Sequence, residues 1–462
     1  MSQLARKLRL TDYFTLAWGT MVGVGWLVVM DDWLLRGGAL GALLGFAVGG
    51  ALLFPIGWVY GQLVAAMPDA AGEIAYTAAA FSRPVSFSTG WMMMLAYFIV
   101  CPWEAVAIGR IAGYILPSLD SMELYRIAGR PVYLPHLAIG LALTALLTVL
   151  NYRGIRLSAT FQNWTAFTTI GLFVIFVVLG MMKGSSRNFP PLFTHSPAFS
   201  FLLVLQIVPY FMTGFESVSK AAEESTAGFE ERRFLTAIWM AILVGILFYT
   251  VVIAAVAFVA PWAQLTNQKF MTAVAFQQAV GSRWIVDVIL AAALLSLVKC
   301  FNGNFVAASR LVFALGRRGM IQTRAGHVHP AHQTPSVAVV CVGLATGACM
   351  LLGDAILVPI TEVGSVACAI GWAATCAAYI WMGRVGTLAE RLKISAVEYA
   401  IGAFGLVVAI AMVLMKIVPA VPGHFTVYEW LALGGWVVLG AAAHRRGRAE
   451  ESQGARNTRT LS

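Results

Sequence analysis

The chain has 462 residues, of which 60% are hydrophobic and 11% charged, with a mean hydropathy of +0.80. Soluble domains carry roughly 25% charged residues, so this composition excludes an ordinary soluble protein and points to an all-α polytopic membrane protein. The formal net charge of +10 lies in short clusters between apolar runs, a pattern of membrane topology and not of a nucleic-acid site.

A bilayer core about 30 Å thick needs about 20 apolar residues per helix. Runs of that kind recur near 12–36, 40–66, 87–117, 134–150, 160–183, 199–226, 234–260, 284–316, 335–352, 356–383, 396–418 and 426–443, which predicts about twelve spans. The first is preceded by Arg6, Lys7 and Arg9. Every second loop is basic: Arg153 and Arg156; Arg232 and Arg233; Arg317, Arg318 and Arg324; Arg384, Arg391 and Lys393; and finally Arg445, Arg446 and Arg448. The positive-inside rule then puts both termini in the cytoplasm, with 1–11 as an N-terminal segment and 444–462 as a basic tail. The six cysteines, Cys101, Cys300, Cys341, Cys368 and Cys376 among them, lie in apolar runs without CxxC spacing, so neither a disulfide framework nor a metal site follows. No GxxxxGK[ST] loop occurs, which argues against direct nucleotide drive, and no cofactor is expected.

Two spans are interrupted. The first contains GTMVGVGW (Gly19 to Trp26) and the sixth VPYFMTGFESVSKAAEES, in which Pro209, Thr213, Gly214 and Glu216 break an apolar helix. The sixth comes five spans after the first, an odd number, so a repeat of that length would be inverted and the two broken helices would meet antiparallel at mid-membrane. Residues 12–183 and 199–383 would form the two repeats, and 396–443 two further helices. A broken helix offers free N–H groups to a carboxylate and free carbonyls to an ammonium, and an α-amino acid carries both charges. Close helix packing is the alternative use of such glycines.

GTMVGVGW, MPDAAGEIAY after the second span, NYRGIRLSATFQN entering the fifth, TGFESVSKAAEES in the sixth and NGNFVAASRLVFALGRRGM in the eighth together resemble the amino acid–polyamine–organocation superfamily. The resemblance implies a LeuT-like five-plus-five inverted-repeat fold and alternating-access transport of amino acids or related amines. It further implies that Val24 and Gly25 offer N–H groups to a substrate carboxylate, with Val22 and Gly23 shaping the bend. Tyr210, Phe211 and Thr213 would turn carbonyls toward the amine beside Gly214. Tyr210 or Phe215 would gate the site, and Trp26, where many relatives have a smaller residue, would narrow it.

Ionisable residues at membrane depth are functional candidates. Lys299 in the eighth span falls where many relatives have serine or threonine, in a region that forms part of a sodium site in sodium-coupled members of the fold. A fixed ammonium there could replace the bound cation. Some proton-coupled relatives use a lysine of the fifth span, whose counterpart here is Thr168 or Thr169. Glu104 in the third span is the candidate partner of Lys299, amine contact or proton carrier, and Asn302 completes the ion-coupling set. Glu216 braces the break, Glu223 and Glu224 with Arg310 suit a cytoplasmic gate, and Glu362 has no assigned role. The expectation is a sodium-independent amino acid transporter of a prokaryotic plasma membrane, a proton symporter or an exchanger. An amine or polyamine carrier and a membrane substrate sensor are the competing readings, and an enzyme is disfavoured because no nucleophile–base constellation occurs.

Overall fold

The computed structural model describes residues 4, 6–353, 357–385 and 394–459. Arg391 and Lys393 of the basic loops, with residues 354–356, lie outside them. Among the described residues, eight helical stretches are long and apolar enough to cross a membrane. The protein is thus a polytopic, mostly helical membrane protein, as the bilayer demands of a chain that must satisfy its backbone internally.

The first helix, α1 (Leu10–Met21), ends at Val22, and the chain resumes as α2 (Gly25–Val28) and α3 (Met30–Ala51). Gly38, at φ 70°, turns the chain inside α3. A Cβ there would fall 2.6 Å from the Leu192 carbonyl oxygen, so the junction between the expected first and second spans accepts only glycine. α4 (Phe54–Ala66) completes the second membrane stretch, and α5 (Glu73–Ala80) is a short helix in the following loop. The expected span 87–117 is two helices, α6 (Arg83–Phe98) and α7 (Val100–Ile115). Pro102 explains the interruption: it has no N–H for the Phe98 carbonyl and its ring crowds that turn.

The loop after α7 contains an antiparallel hairpin of β1 (Glu123–Ile127) and β2 (Arg130–Tyr133). Its turn residues, Ala128 and Gly129, both have positive φ. α8 (Leu134–Arg153) and α9 (Ile155–Lys183) follow, and then the sixth stretch in three pieces, α10 (Pro197–Leu205), α11 (Val208–Met212) and α12 (Ser217–Lys220). After α13 (Arg232–Val259), between two expected spans, the chain forms α14 (Met271–Val280). α15 (Trp284–Arg317), α16 (Ser336–Met350), α17 (Leu357–Val385), α18 (Ala396–Ile417) and α19 (Val427–Arg459) complete the chain. The last helix runs on through the basic tail without a break at 443.

α15 organises the interior. Its buried face packs on α1, α6, α7 and α9, and Gly303 lets it approach α1 so closely that a Cβ would lie 3.0 Å from the Thr20 Cα. The broken segments α1–α2 and α11–α12 therefore lie inside the bundle, sheltered from lipid.

Candidate functional site

The first break frees backbone groups that must find partners in a dry interior. The carbonyls from Thr20 to Gly25 all find one. The Thr20 carbonyl accepts from Cys300 Sγ (3.1 Å) and Asn304 Nδ2 (3.0 Å), and the Met21 carbonyl from the Tyr249 hydroxyl (3.0 Å). The Val22 carbonyl accepts from Lys299 Nζ and the Ser296 hydroxyl (3.2 Å), and Ser296 also donates to the Gly23 carbonyl (2.8 Å). Thr272 of α14 donates to the Trp26 carbonyl (2.8 Å). On the opposite side of the break, the Val24 N–H donates to Glu104 Oε1 at 3.4 Å. Gly23 makes room for that carboxylate, because a Cβ would come within 2.1 Å of the same oxygen. The Lys299 ammonium also lies 4.4 Å from the centroid of the Trp18 ring, a cation–π contact inside a desolvated site.

The second break is satisfied by its own segment. Thr213 leaves the helix, and Gly214 takes φ 130°, a conformation that side chains resist. The Glu216 carboxylate accepts the Thr213 hydroxyl (2.6 Å) and the Gly214 N–H (3.0 Å). The Glu216 carbonyl in turn accepts from the Ser219 hydroxyl (2.7 Å) and Lys220 Nζ (3.1 Å). A Cβ on Gly214 would lie 2.7 Å from the Met21 nitrogen, so the two breaks rest directly on each other.

Between them is a narrow cavity lined by Gly23, Gly25, Glu104, Tyr210, Phe211 and Thr213, with Met21, Trp103, Tyr249 and Cys300 completing its wall. The Tyr210 hydroxyl and Glu104 Oε2 are buried and have no hydrogen-bond partner among the described residues. Buried unpaired acceptors and donors are costly, and here one of each belongs to residues that line the same cavity.

Several expected residues stand elsewhere. Trp26 does not narrow this cavity: its ring meets Phe176 (5.7 Å) and Phe248 (6.3 Å) and lines a separate apolar gap with Thr169, because α2 restarts with that side chain turned toward α9 and α13. Phe215 faces Tyr60 (5.9 Å) and Trp372 (5.5 Å), behind the break and away from the cavity wall. Thr169 donates to the Thr165 carbonyl, and Thr168 to the Trp164 carbonyl on a half-buried face; among the described residues neither hydrogen-bonds Lys299. Asn302 points to α8 and α9, accepting from Asn151 (2.9 Å) and Ser158 (3.2 Å) and donating to Gln162 (2.9 Å). Ser296, Cys300 and Asn304 were not anticipated, although they share the α15 face of Lys299 at helical spacing.

Both ends of the bundle are tied shut. On the face that carries the N-terminus, Arg310 meets Glu224 at 2.9 Å, both 1% exposed, and Arg317 and Arg318 reach Asp69 at 3.3 and 2.6 Å. There the backbone of Leu8 also pairs with Ser225. On the hairpin face, Glu362 joins Arg36 (3.3 Å) to the buried Lys416, and Arg36 also holds Asp32 (2.8 Å). Glu362 thereby acquires a partner set that the sequence did not suggest.

The model of a family described as amino acid permease matches residues 8–442. The chain belongs to that family. It is accordingly a member of the amino acid–polyamine–organocation superfamily, a transporter and not an enzyme. It is 25% identical to the branched-chain amino acid permease BcaP of Bacillus subtilis (strain 168), over 79% of this chain and 77% of that one. Similarity extends to the methylthioribose transporter of the same organism, 24% identical over 72% of each chain. The gamma-aminobutyric acid permease of Escherichia coli (strain K12) is 28% identical over 67% of this chain and 64% of its own. Permease relatives support amino acids, as small molecules, for the substrate class.

Proposed function

We propose that the chain is a sodium-independent secondary transporter of amino acids, working by alternating access as a proton symporter or exchanger. The reading takes 12–183 and 199–383 as inverted repeats, 396–443 as two added helices, and both termini as cytoplasmic in a prokaryotic plasma membrane. The observation that carries it is the first break, where Lys299 Nζ holds the Val22 carbonyl while the Glu104 carboxylate faces the Val24 N–H. A fixed ammonium on a freed carbonyl does the work of a bound cation, so transport needs no sodium there.

The substrate lies in the cavity between the breaks, with its ammonium toward Glu104 and the Tyr210 hydroxyl and its carboxylate toward the Val24 and Gly25 amides. Tyr210 and Phe211 close over it from the hairpin side. Two carboxylates cannot crowd one dry N–H group while both are charged. Entry of the substrate carboxylate therefore moves Glu104 aside or protonates it, which links substrate to proton. The salt bridges at the two ends are the alternating gates: Arg36 with Glu362 outside, Glu224 with Arg310 inside.

One observation favours a second reading. Because Glu104 already occupies the Val24 amide, an amine without a carboxylate would meet a prepared counter-charge and displace nothing. Thermal stabilisation of the purified protein by a panel of amino acids and decarboxylated amines selects the ligand. Uptake of that ligand into sodium-free liposomes, with and without an inward proton gradient, then tests transport. Sodium-free accumulation or exchange of an amino acid is the expected result. Equal competition by its carboxylate-free amine moves the assignment to an amine carrier, and binding without flux moves it to a sensor.

A further inference from the structure

A second buried ion pair lies outside the cavity and both gates. Lys220, the last residue of α12, and Glu73, the first of α5, are each 0% exposed and bonded to one another. The same ammonium reaches the Glu216 carbonyl at 3.1 Å and lies over the rings of Tyr97 (5.0 Å) and Tyr60 (5.5 Å). The Tyr60 hydroxyl donates to Glu73 Oε1 at 2.7 Å. The arrangement is self-consistent only while the two elements touch, because either charge left alone in this interior would be strongly unfavourable.

The contact is also tight in shape. Gly72, at φ 49°, caps α5 against α12, and a Cβ there would come 2.8 Å from Ser219 Oγ. Lys220 thus joins three things: the Glu216 carbonyl at the start of α12, which the Ser219 N–H also reaches (3.0 Å), the start of α5, and an aromatic cage from α4 and α6. An α12 that swings away from α5 must break this pair, and an α12 that keeps it cannot open a route past Glu216 to the N-terminal face.

We propose that Glu73–Lys220 is the latch that holds the second broken helix closed on the N-terminal face, with Lys220 as a positioning residue that ties the break to α5. The inference rests on the alternating-access reading. It deepens that reading by naming the bond whose rupture releases α12. Lys220→Met and Glu73→Gln remove one partner each, while Glu73→Leu with Lys220→Met removes both charges and leaves only the neutral Tyr60 hydroxyl without its carboxylate acceptor.

Cys368, buried on α17 against Thr213, is the reporter. Its alkylation by a membrane-impermeant maleimide is followed by peptide mass spectrometry in vesicles of each orientation, beside the thermal midpoint of each variant. The expected result is labelling from the N-terminal face at least about tenfold faster in the apolar double variant, even though its thermal midpoint recovers toward wild type. Single variants that fold should label as fast but melt earlier, and single variants that do not fold leave the double variant to carry the test. A double variant that recovers its midpoint and labels as slowly as wild type makes the pair a structural staple and overturns the latch. Wild-type liposomes without flux, combined with fast labelling of the double variant, would instead defeat the transporter reading and leave the latch standing.

Discussion

The two breaks meet the same requirement by opposite means. At Val22–Val24 the freed groups are served from elsewhere: Glu104 on α7, Tyr249 on α13, Thr272 on α14, and Ser296, Lys299, Cys300 and Asn304 on α15. At Thr213–Glu216 they are served from within, by Glu216 itself, Ser219 and Lys220. A break with internal partners can move as a unit and keep its shape. One held by its neighbours changes its hydrogen bonding whenever α1 moves relative to α15, and is the natural place for substrate and ions to be felt.

The largest expected contrast comes from adding one methyl to each break. Gly214→Ala puts a Cβ at a φ of 130° and 2.7 Å from the Met21 nitrogen, where the obstacle is backbone. Strain and overlap together should cost about 3 kcal/mol or more and abolish uptake. Gly23→Ala meets only the ends of two side chains, Glu104 Oε1 and Cys300 Sγ. Its stability cost should stay nearer 1 kcal/mol, while Glu104 is pushed off the Val24 amide. Thermal midpoints of the two variants measure the difference, and equal losses would mean that the breaks are equally rigid.

Lys299→Ala comes next. The Val22 carbonyl would keep only the Ser296 hydroxyl at 3.2 Å, and the cation over Trp18 would be gone. Sodium-free uptake should fall at least about tenfold, the equivalent of 1.4 kcal/mol. A partial return of uptake with added sodium would show that the ammonium stands in for a cation. Unchanged uptake and ion dependence would remove Lys299 from the mechanism.

The first break was legible in the sequence because glycine clustering inside an apolar run has few explanations, and Lys299 because a lysine at that depth is rare. The α15 partners could have been reached from Lys299 by helical periodicity, since Ser296, Cys300, Gly303 and Asn304 follow at −3, +1, +4 and +5. Nothing in one dimension pairs Glu73 with Lys220, or Glu362 with Lys416, because the members are remote in sequence and spacing along one helix says nothing of which residue of another helix it meets. The directions of Trp26 and Phe215 were illegible for a related reason. A break resets helical phase, so positions beyond it cannot be assigned to a face by counting.

Glu104→Gln is expected to have a smaller effect. The amide oxygen can still accept from Val24, so the break should keep its shape and stability should change by less than about 1 kcal/mol, the scale of a weakened hydrogen bond. What should vanish is the response to an inward proton gradient, with exchange retained and accumulation lost. Persistence of gradient-driven accumulation would exclude Glu104 as the proton carrier and leave only its role as a brace.

The smallest effect distinguishes external from internal service most directly. Ser296 donates to both the Val22 and Gly23 carbonyls, at 3.2 and 2.8 Å, and Lys299 covers only the first. Ser296→Ala should therefore cost about 1 kcal/mol, chiefly through the Gly23 carbonyl. Combined with Lys299→Ala it should cost more than the two separate losses added, because the Val22 carbonyl then loses both donors. The matching pair at the second break, Ser219→Ala and Lys220→Met, shares the Glu216 carbonyl in the same way, but Lys220 also holds Glu73. Its single-variant loss should already exceed that of Lys299→Ala in thermal midpoint, while the coupling with Ser219 stays small. Two double-mutant cycles of equal size would mean that the division between the breaks is one of geometry alone, with no consequence for how tightly each is held.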